Sequence, residues 1–210
     1  MIIKSTRIPT AHAFRIASYL TEPADNETAT WHRGCRKDLL VMGEISRIAG
    51  KQYAIRHFVI SPCGAMCQQD FTAVLAEICF EYGVSITSGN RSSIVEHLKP
   101  RATGSENEVH WHVAIPEFDV ETGKILSSSF YKMRNEKISR ICELKLGHRI
   151  VPGRFNKQVY LTLQKERRQL DLTPFEASLR AAAIEASGSE DNWLEYRAKQ
   201  NRNRHAQAIS

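Results

Sequence analysis

Residues 108–118, EVHWHVAIPEF, alternate side chains of two kinds, which is the pattern of a β-strand with two different faces. One face is apolar and is predicted to point into the core, under the helices: Val109, Trp111, Val113 and Ile115. The other face carries His110 and His112, which a strand holds about 6 to 7 Å apart. Two imidazoles at that spacing can bind one cation.

A second predicted strand lies just upstream, in RSSIVEHL, and the turn-rich segment PRATGSEN separates the two. We expect the two strands to pair as an antiparallel hairpin. The pairing would bring His97 beside His110 and His112, and three neutral histidines with open coordination positions form a catalytic metal site. Hydrogen-bonding histidines on a half-exposed sheet are the alternative. The remaining histidines are interpreted as structural or surface residues: His12, His32, His57, His148 and His205.

The rest of the pattern predicts an α+β fold, with a mostly antiparallel central sheet, helices packed on its outer face and a short helical C-terminal extension. Strands are predicted at residues 1–8, 52–61, 91–98 and 108–118, and helices at 9–20, 37–50, 68–83 and 129–148. Residues 21–34 are polar and punctuated by Gly and Pro, which predicts a loop. The domain is predicted to span residues 1–160. Residues 161–210 form the charged helical extension, and its last residues are expected to be frayed or disordered.

The net charge of +6 favours an anionic partner such as nucleic acid. The N-terminus has no signal-peptide pattern, and no apolar run approaches the ~18 residues of a membrane span. The five cysteines, an odd number, fit a reducing cytoplasm. Cys63 and Cys67 lack a second pair that would complete a zinc site, so buried or loop thiols are the preferred interpretation.

Tyr19, at the end of the first predicted helix, is a candidate nucleophile. A divalent ion can neutralise charge that develops on a phosphodiester, but strand cleavage also needs a group that attacks phosphorus. A tyrosine that does so forms a phosphotyrosine ester, from which a freed 3′-hydroxyl can later reverse the reaction. Taken alone, a tyrosine near a helix end is far more often a core or surface residue.

Three segments, in this order, resemble the relaxases of mobilisable and conjugative plasmids, in the mobilisation-protein and T-DNA-border-endonuclease group of the HUH (His-hydrophobic-His) nucleases. They are FRIASYLTEPADN, RHFVISPCGA and EHLKPRATGSENEVHWHVAIP, and the resemblance extends over roughly residues 1 to 165. It implies a palm-like fold with Tyr19 as the nucleophile and Ser61 as a DNA contact near the scissile phosphate. It also implies that His97, His110 and His112 bind a divalent ion, Mg²⁺ or Mn²⁺.

The chain departs from the family pattern around the first histidine. A few more residues than usual separate His97 from His110, and Lys99 stands where many relatives have an acidic residue. Glu108 and Glu106 are therefore alternatives as a substitute ligand or as a group that supports a ligand.

The activity implied by the resemblance is nicking of one DNA strand at a plasmid origin of transfer, through a 5′-phosphotyrosyl intermediate, for conjugative mobilisation. The implied partners are single-stranded or locally melted origin DNA, accessory relaxosome proteins and a type IV secretion coupling protein, in the bacterial cytoplasm without membrane insertion. A basic groove for the strand is predicted from these residues: Arg15, Arg56, Lys99, Arg101, Lys132 and Arg134. The alternatives are a non-catalytic relaxase-like DNA-binding module and a rolling-circle replication initiator, in which the tyrosine usually follows the histidine pair.

Overall fold

The computed structural model describes residues 1–22, 28–98, 109–166 and 168–187. Its strands are β1 (Ile2–Pro9), β2 (Thr28–Arg33), β3 (Tyr53–Ser61), β4 (Ser93–Leu98) and β5 (Val109–Pro116). Its helices are α1 (Ala13–Thr21), α2 (Arg36–Ile48), α3 (Gln68–Tyr82), α4 (Ile86–Asn90), α5 (Tyr131–Leu146), α6 (Asn156–Glu166) and α7 (Thr173–Ser187). The predicted α+β class is confirmed.

Within the described ranges, the strands form one five-stranded sheet in the order β1-β3-β5-β4-β2, and every neighbouring pair is antiparallel. The predicted pairing of the two histidine-bearing strands is confirmed, with His97 directly opposite His110. The connection between them, residues 99–108, lies outside the described residues.

Helices cover both faces of the sheet, because strands β3, β4 and β5 each carry apolar side chains on both sides. On one side, α3 and α5 pack against Phe58 and Trp111, and the Trp111 ring stacks on Phe71 at 4.2 Å between ring centroids. This is the α3–α5 face. On the other side, α1 and α2 pack against Ile55 and Val95. This is the α1–α2 face, and the two clusters together form the core of the sheet.

Local sequence signals explain where the helices begin and end. Asp38 and Asp70 each accept a hydrogen bond from the backbone N–H of the residue that precedes their helix, at 2.8 Å, and so complete capping boxes for α2 and α3. Helix α3 ends at Gly83, whose φ of 63° is the left-handed conformation that terminates helices.

The prediction of a loop at residues 21–34 is wrong for its second half, which forms β2. This strand is at the edge of the sheet and pairs only with β4, so its pattern is short and one-sided. Ala29 and Trp31 pack against the core on the α1–α2 face, whereas the other four side chains of the strand are exposed. The alternation of apolar and polar residues over the six positions of β2 is too short to outweigh the turn signals of the neighbouring Pro, Gly and Asn.

The chain divides into two compact units, Met1–Gly153 and Arg154–Ser210. In the second unit α6 packs against α7: the Tyr160 and Phe175 rings meet edge to face at 5.6 Å, and the Tyr160 hydroxyl donates to Glu176 at 2.6 Å. The C-terminal residues expected to be frayed, 188–210, lie outside the described residues. No helix in the described segments has the length and apolar character to span a membrane.

Candidate functional site

Four histidines from three adjacent strands lie on the α1–α2 face of the sheet. His97 on β4 is opposite His110 on β5, and His112 lies between Val95 of β4 and Val59 of β3. His57 on β3 is two residues before Val59 and so shares its face. The antiparallel register therefore gathers residues that are up to 55 positions apart in the sequence.

The imidazole rings of this cluster are close together and mostly buried. The ring centroids of His97 and His112 are 4.3 Å apart, and those of His110 and His112 are 5.9 Å apart. His97 and His112 are almost completely buried, and His110 is partly exposed. The three residues predicted as metal ligands are thus brought to one place.

Tyr19 lies against this cluster. The buried stripe of α1, formed by Ala13, Ile16, Ala17 and Leu20, holds the helix on the α1–α2 face. The Tyr19 ring centroid is then 5.6 Å from that of His112 and 5.9 Å from that of His97. The Tyr19 side chain remains 51% exposed, so it is accessible from solvent while the rings beneath it are not.

His57, which was interpreted from the sequence as a structural or surface residue, is buried and also belongs to the cluster. Its Nε2 lies 3.0 Å from Nδ1 of His112, within hydrogen-bonding distance, and the two rings are nearly parallel, 7° apart, with centroids at 5.2 Å. Alternation in RHFVIS already placed His57 on the same face as Ser61. The proximity to His112 required knowing that β3 and β5 are neighbours.

Burial keeps the inner rings neutral. It lowers the pKa of His57 to about 4, an effect to which the neighbouring His97 ring adds. It lowers the pKa of His112 to about 2, with further lowering by His57, His97 and His110 in turn. Neutral imidazole is the form that binds metal ions, so these two rings do not need to lose a proton at neutral pH before one of them acts as a ligand.

The donors that this cluster offers are imidazole nitrogens, which are common ligands of divalent metal ions. Nε2 of His112 is buried and has no hydrogen-bond partner within the described part of the chain, as expected for a nitrogen available to a ligand. As placed, however, no three His, Cys, Asp or Glu side chains of the described residues converge on one point. Glu106 and Glu108 lie outside the described residues.

Two further predicted site residues occupy positions on the same side of the sheet. Ser61 is the last residue of β3 and by alternation shares the face of His57. Arg15 is exposed on α1, four residues and hence about one helical turn before Tyr19.

The prediction of Arg56 as a DNA contact is wrong. Its side chain points to the α3–α5 face, is 1% exposed and forms two 2.8 Å hydrogen bonds to the carboxylate of Glu117. The pattern around Arg56 could not indicate this burial, because its carboxylate partner is 61 residues away in the sequence.

The remaining cationic candidates do not form a groove with Tyr19 in the described residues. Arg134 is on α5, on the α3–α5 side, where its guanidinium lies 4.1 Å from the centroid of the Tyr82 ring and pairs with Glu81. Lys132 is exposed on the same helix. Lys99 and Arg101 lie outside the described residues.

Comparison with known proteins adds little to this geometry. No family model matches the chain, and no curated protein sequence matches it. Among solved structures, the chain is similar to a conjugative relaxase, TrwC, in complex with OriT DNA in a metal-free structure, with 13% sequence identity over 89% of this chain and 84% of that one. The TM-score is 0.30, at which the similarity assigns neither a fold nor a family.

Proposed function

We propose that this protein is a relaxase-type DNA strand transferase, in which Tyr19 attacks a phosphodiester next to a metal-binding histidine cluster. One observation carries the proposal. A solvent-accessible tyrosine lies with its ring centroid within 6.5 Å of those of three buried histidines, His57, His97 and His112, on one face of the sheet. A nucleophile beside side chains that can bind a metal ion is an arrangement that supports transfer of a phosphodiester.

The proposed reaction is a transesterification. The phenolic oxygen of Tyr19 attacks phosphorus, a Tyr–O–P bond forms, and the bond from phosphorus to the 3′-oxygen breaks. The 3′-oxygen leaves with the bonding pair and takes up a proton, while Tyr19 loses one, so nothing is oxidised or reduced. A divalent ion, Mg²⁺ or Mn²⁺, bound by His97, His110 and His112 would supply neutralisation of the charge developing on the phosphate oxygens.

The low pKa values around Tyr19 decide which groups can take its proton. A phenol has a pKa near 10, and an efficient general base is one whose protonated form has a pKa near the working pH. His57, with a pKa of about 4, and His112, with a pKa of about 2, are poor acceptors. We therefore expect the proton of Tyr19 to leave toward its exposed side, while the buried rings serve as ligands and supports.

The proposed substrate is a single DNA strand at a plasmid origin of transfer, free or locally melted. The chain has an excess of positive charge, +6, and Arg15 lies one turn from Tyr19 on the exposed side of α1. Accessory relaxosome proteins and a type IV secretion coupling protein are part of the same proposal, and these follow from the resemblance of the motifs alone.

Covalent capture tests the proposal without knowledge of the nick site. The full chain is incubated with Mn²⁺ and a pool of random single-stranded oligonucleotides, and adducts that survive denaturation are isolated, sequenced and mapped by mass spectrometry. We expect an adduct on Tyr19 that disappears in Tyr19→Phe. The matched control is Tyr131→Phe, because Tyr131 is also partly exposed but lies on α5 at the other face of the sheet.

An adduct on another tyrosine, or one that persists in Tyr19→Phe, would refute Tyr19 as the nucleophile. DNA binding without any adduct would favour the second candidate, a non-catalytic relaxase-like DNA-binding module. That alternative draws support from the absence of a converged three-ligand group among the residues whose placement is described.

The metal site is tested separately from cleavage. Titration of Mn²⁺ followed by electron paramagnetic resonance should show binding by the wild-type chain and loss of binding in His110→Ala. His32→Ala is the control, since His32 lies near the same strands but bonds to Glu96 on the opposite face. Equal Mn²⁺ binding by wild type and His110→Ala would remove His110 from the ligand set.

A further inference from the structure

The pair formed by His57 and His112 has a geometry that fixes where one hydrogen atom can be. Nε2 of His57 and Nδ1 of His112 are 3.0 Å apart. Two nitrogens at that distance share a single hydrogen, since two lone pairs or two N–H groups facing each other would repel. Either His57 donates to His112, or His112 donates to His57.

The two alternatives differ at the other nitrogen of His112, Nε2, which carries a hydrogen in one of them and a lone pair in the other. If His57 donates, His112 must carry its own hydrogen on Nε2. This nitrogen is buried and has no hydrogen-bond partner within the described residues. A buried N–H with no acceptor is rare in folded proteins, rarer than an acceptor with an unused lone pair. The environment of Nε2 therefore favours the alternative in which His112 donates and Nε2 carries a lone pair.

We infer that His57 is a positioning residue: by accepting a hydrogen bond from Nδ1 of His112, it fixes the tautomer in which Nε2 of His112 offers a lone pair to a ligand. The two rings are nearly parallel, 7° apart, with centroids at 5.2 Å, which is the arrangement of an in-plane hydrogen bond between two imidazoles. The role assigned to that lone pair, binding of a divalent ion, rests on the proposed function. The tautomer itself does not.

The tautomer can be measured directly in the metal-free protein. In the full chain labelled with ¹⁵N-histidine and kept in chelator, long-range ¹H–¹⁵N correlation spectra distinguish a nitrogen that carries hydrogen from one that does not. The His112 signals are assigned by their absence in His112→Gln. We expect hydrogen on Nδ1 and none on Nε2 in the wild type. Hydrogen on Nε2 would overturn the inference, whatever the protein does with metal or DNA.

Two variants of His57 separate the hydrogen bond from the packing of a ring beside His112. His57→Phe keeps an aromatic ring of similar size against His112 but removes the acceptor, so the tautomer preference should be lost. His57→Gln retains a carbonyl oxygen that can reach the place of Nε2, so the preference should be kept. An unchanged tautomer in His57→Phe would overturn the inference. If His57→Phe does not fold, the wild-type spectrum and His57→Gln still decide it.

Metal affinity gives a second readout. Loss of a group that orients a metal-binding histidine typically lowers affinity about 10- to 100-fold. We expect a loss of that size for Mn²⁺ in His57→Phe and restoration to near the wild-type value in His57→Gln. Equal affinity in His57→Phe and wild type would overturn the positioning role. If the wild type bound no Mn²⁺ at all, the proposed metal site would fail, and the tautomer measurement would still decide what His57 does.

Discussion

The buried histidines predict a specific dependence of stability on pH. In the unfolded chain His57 and His112 have ordinary pKa values near 6.5, whereas in the fold the pKa values are about 4 and about 2. Between these limits the unfolded state binds more protons than the folded state. The free energy of unfolding therefore rises with pH in this window, and stability is lost as the pH falls below 6.5.

The size of the effect between pH 7 and pH 5 depends little on the exact folded values, because both lie below 5. Each pKa unit corresponds to about 1.4 kcal/mol, and pH 5 is about 1.5 units below the unfolded value. Each ring then contributes a loss of about 2 kcal/mol, and the two together about 4 kcal/mol. A loss of that size is a large fraction of the stability of a typical domain, about 5 to 15 kcal/mol.

Urea unfolding measures this effect, with the fluorescence of the buried Trp111 as the probe and chelator present so that metal binding does not contribute. Other titrating groups cancel when the wild type is compared with the double variant His57→Gln/His112→Gln. Between pH 7 and pH 5, we expect the free energy of unfolding of the wild type to fall by about 4 kcal/mol more than that of the double variant. For His57→Gln alone, the fall should exceed that of the double variant by about 2 kcal/mol. Equal losses in wild type and double variant would refute burial of these rings in neutral form.

Two further predictions concern positions outside the cluster. Gly34 has a φ of 70°, and a Cβ at this position would lie 2.6 Å from Oγ of Ser93, whereas Gly123 has a similar φ of 67° but open space around it. Gly123→Ala should cost about 1 to 2 kcal/mol because of the backbone conformation alone, and Gly34→Ala should lower the thermal midpoint further. Equal shifts in the two variants would contradict the steric argument. Glu117→Gln should lower the free energy of unfolding by about 3 to 5 kcal/mol, because it leaves the buried Arg56 without its charge partner. The control is Glu44→Gln, which removes an exposed ion pair and should give no measurable change in the same urea titration.

The predictions that succeeded depended on local pattern. Alternation over β5 correctly assigned Trp111 to the core and the two histidines to the other face, because a strand reverses its side chains at every residue. Pairing of β4 with β5 followed from their closeness in the sequence, and it placed His97 against His110. Sequence separation of about ten residues leaves few alternatives for two such strands.

The failures at Arg56 and His57 have the opposite property, since each depended on a contact between distant segments. Strand β3 lies between β1 and β5, so His57 meets His112 through a pairing of strands that are not consecutive in the chain. Arg56, one residue earlier, points the other way and finds Glu117. No periodicity in RHFVIS distinguishes these two outcomes, because periodicity fixes which residues share a face and says nothing about what lies opposite.

The position of Tyr19 shows how local and distant information combine. The buried stripe of α1 ends at Leu20, and successive helical residues are rotated by about 100°, so Tyr19 falls at the margin of the buried face. That margin explains a side chain half exposed yet in ring contact with His112. The helical pattern alone places Tyr19 at the edge of the buried face of α1, but the sheet determines which side chains Tyr19 contacts. Tyr19 faces histidines because the neighbouring strands β4 and β5 carry His97 and His112 on the face against which α1 packs.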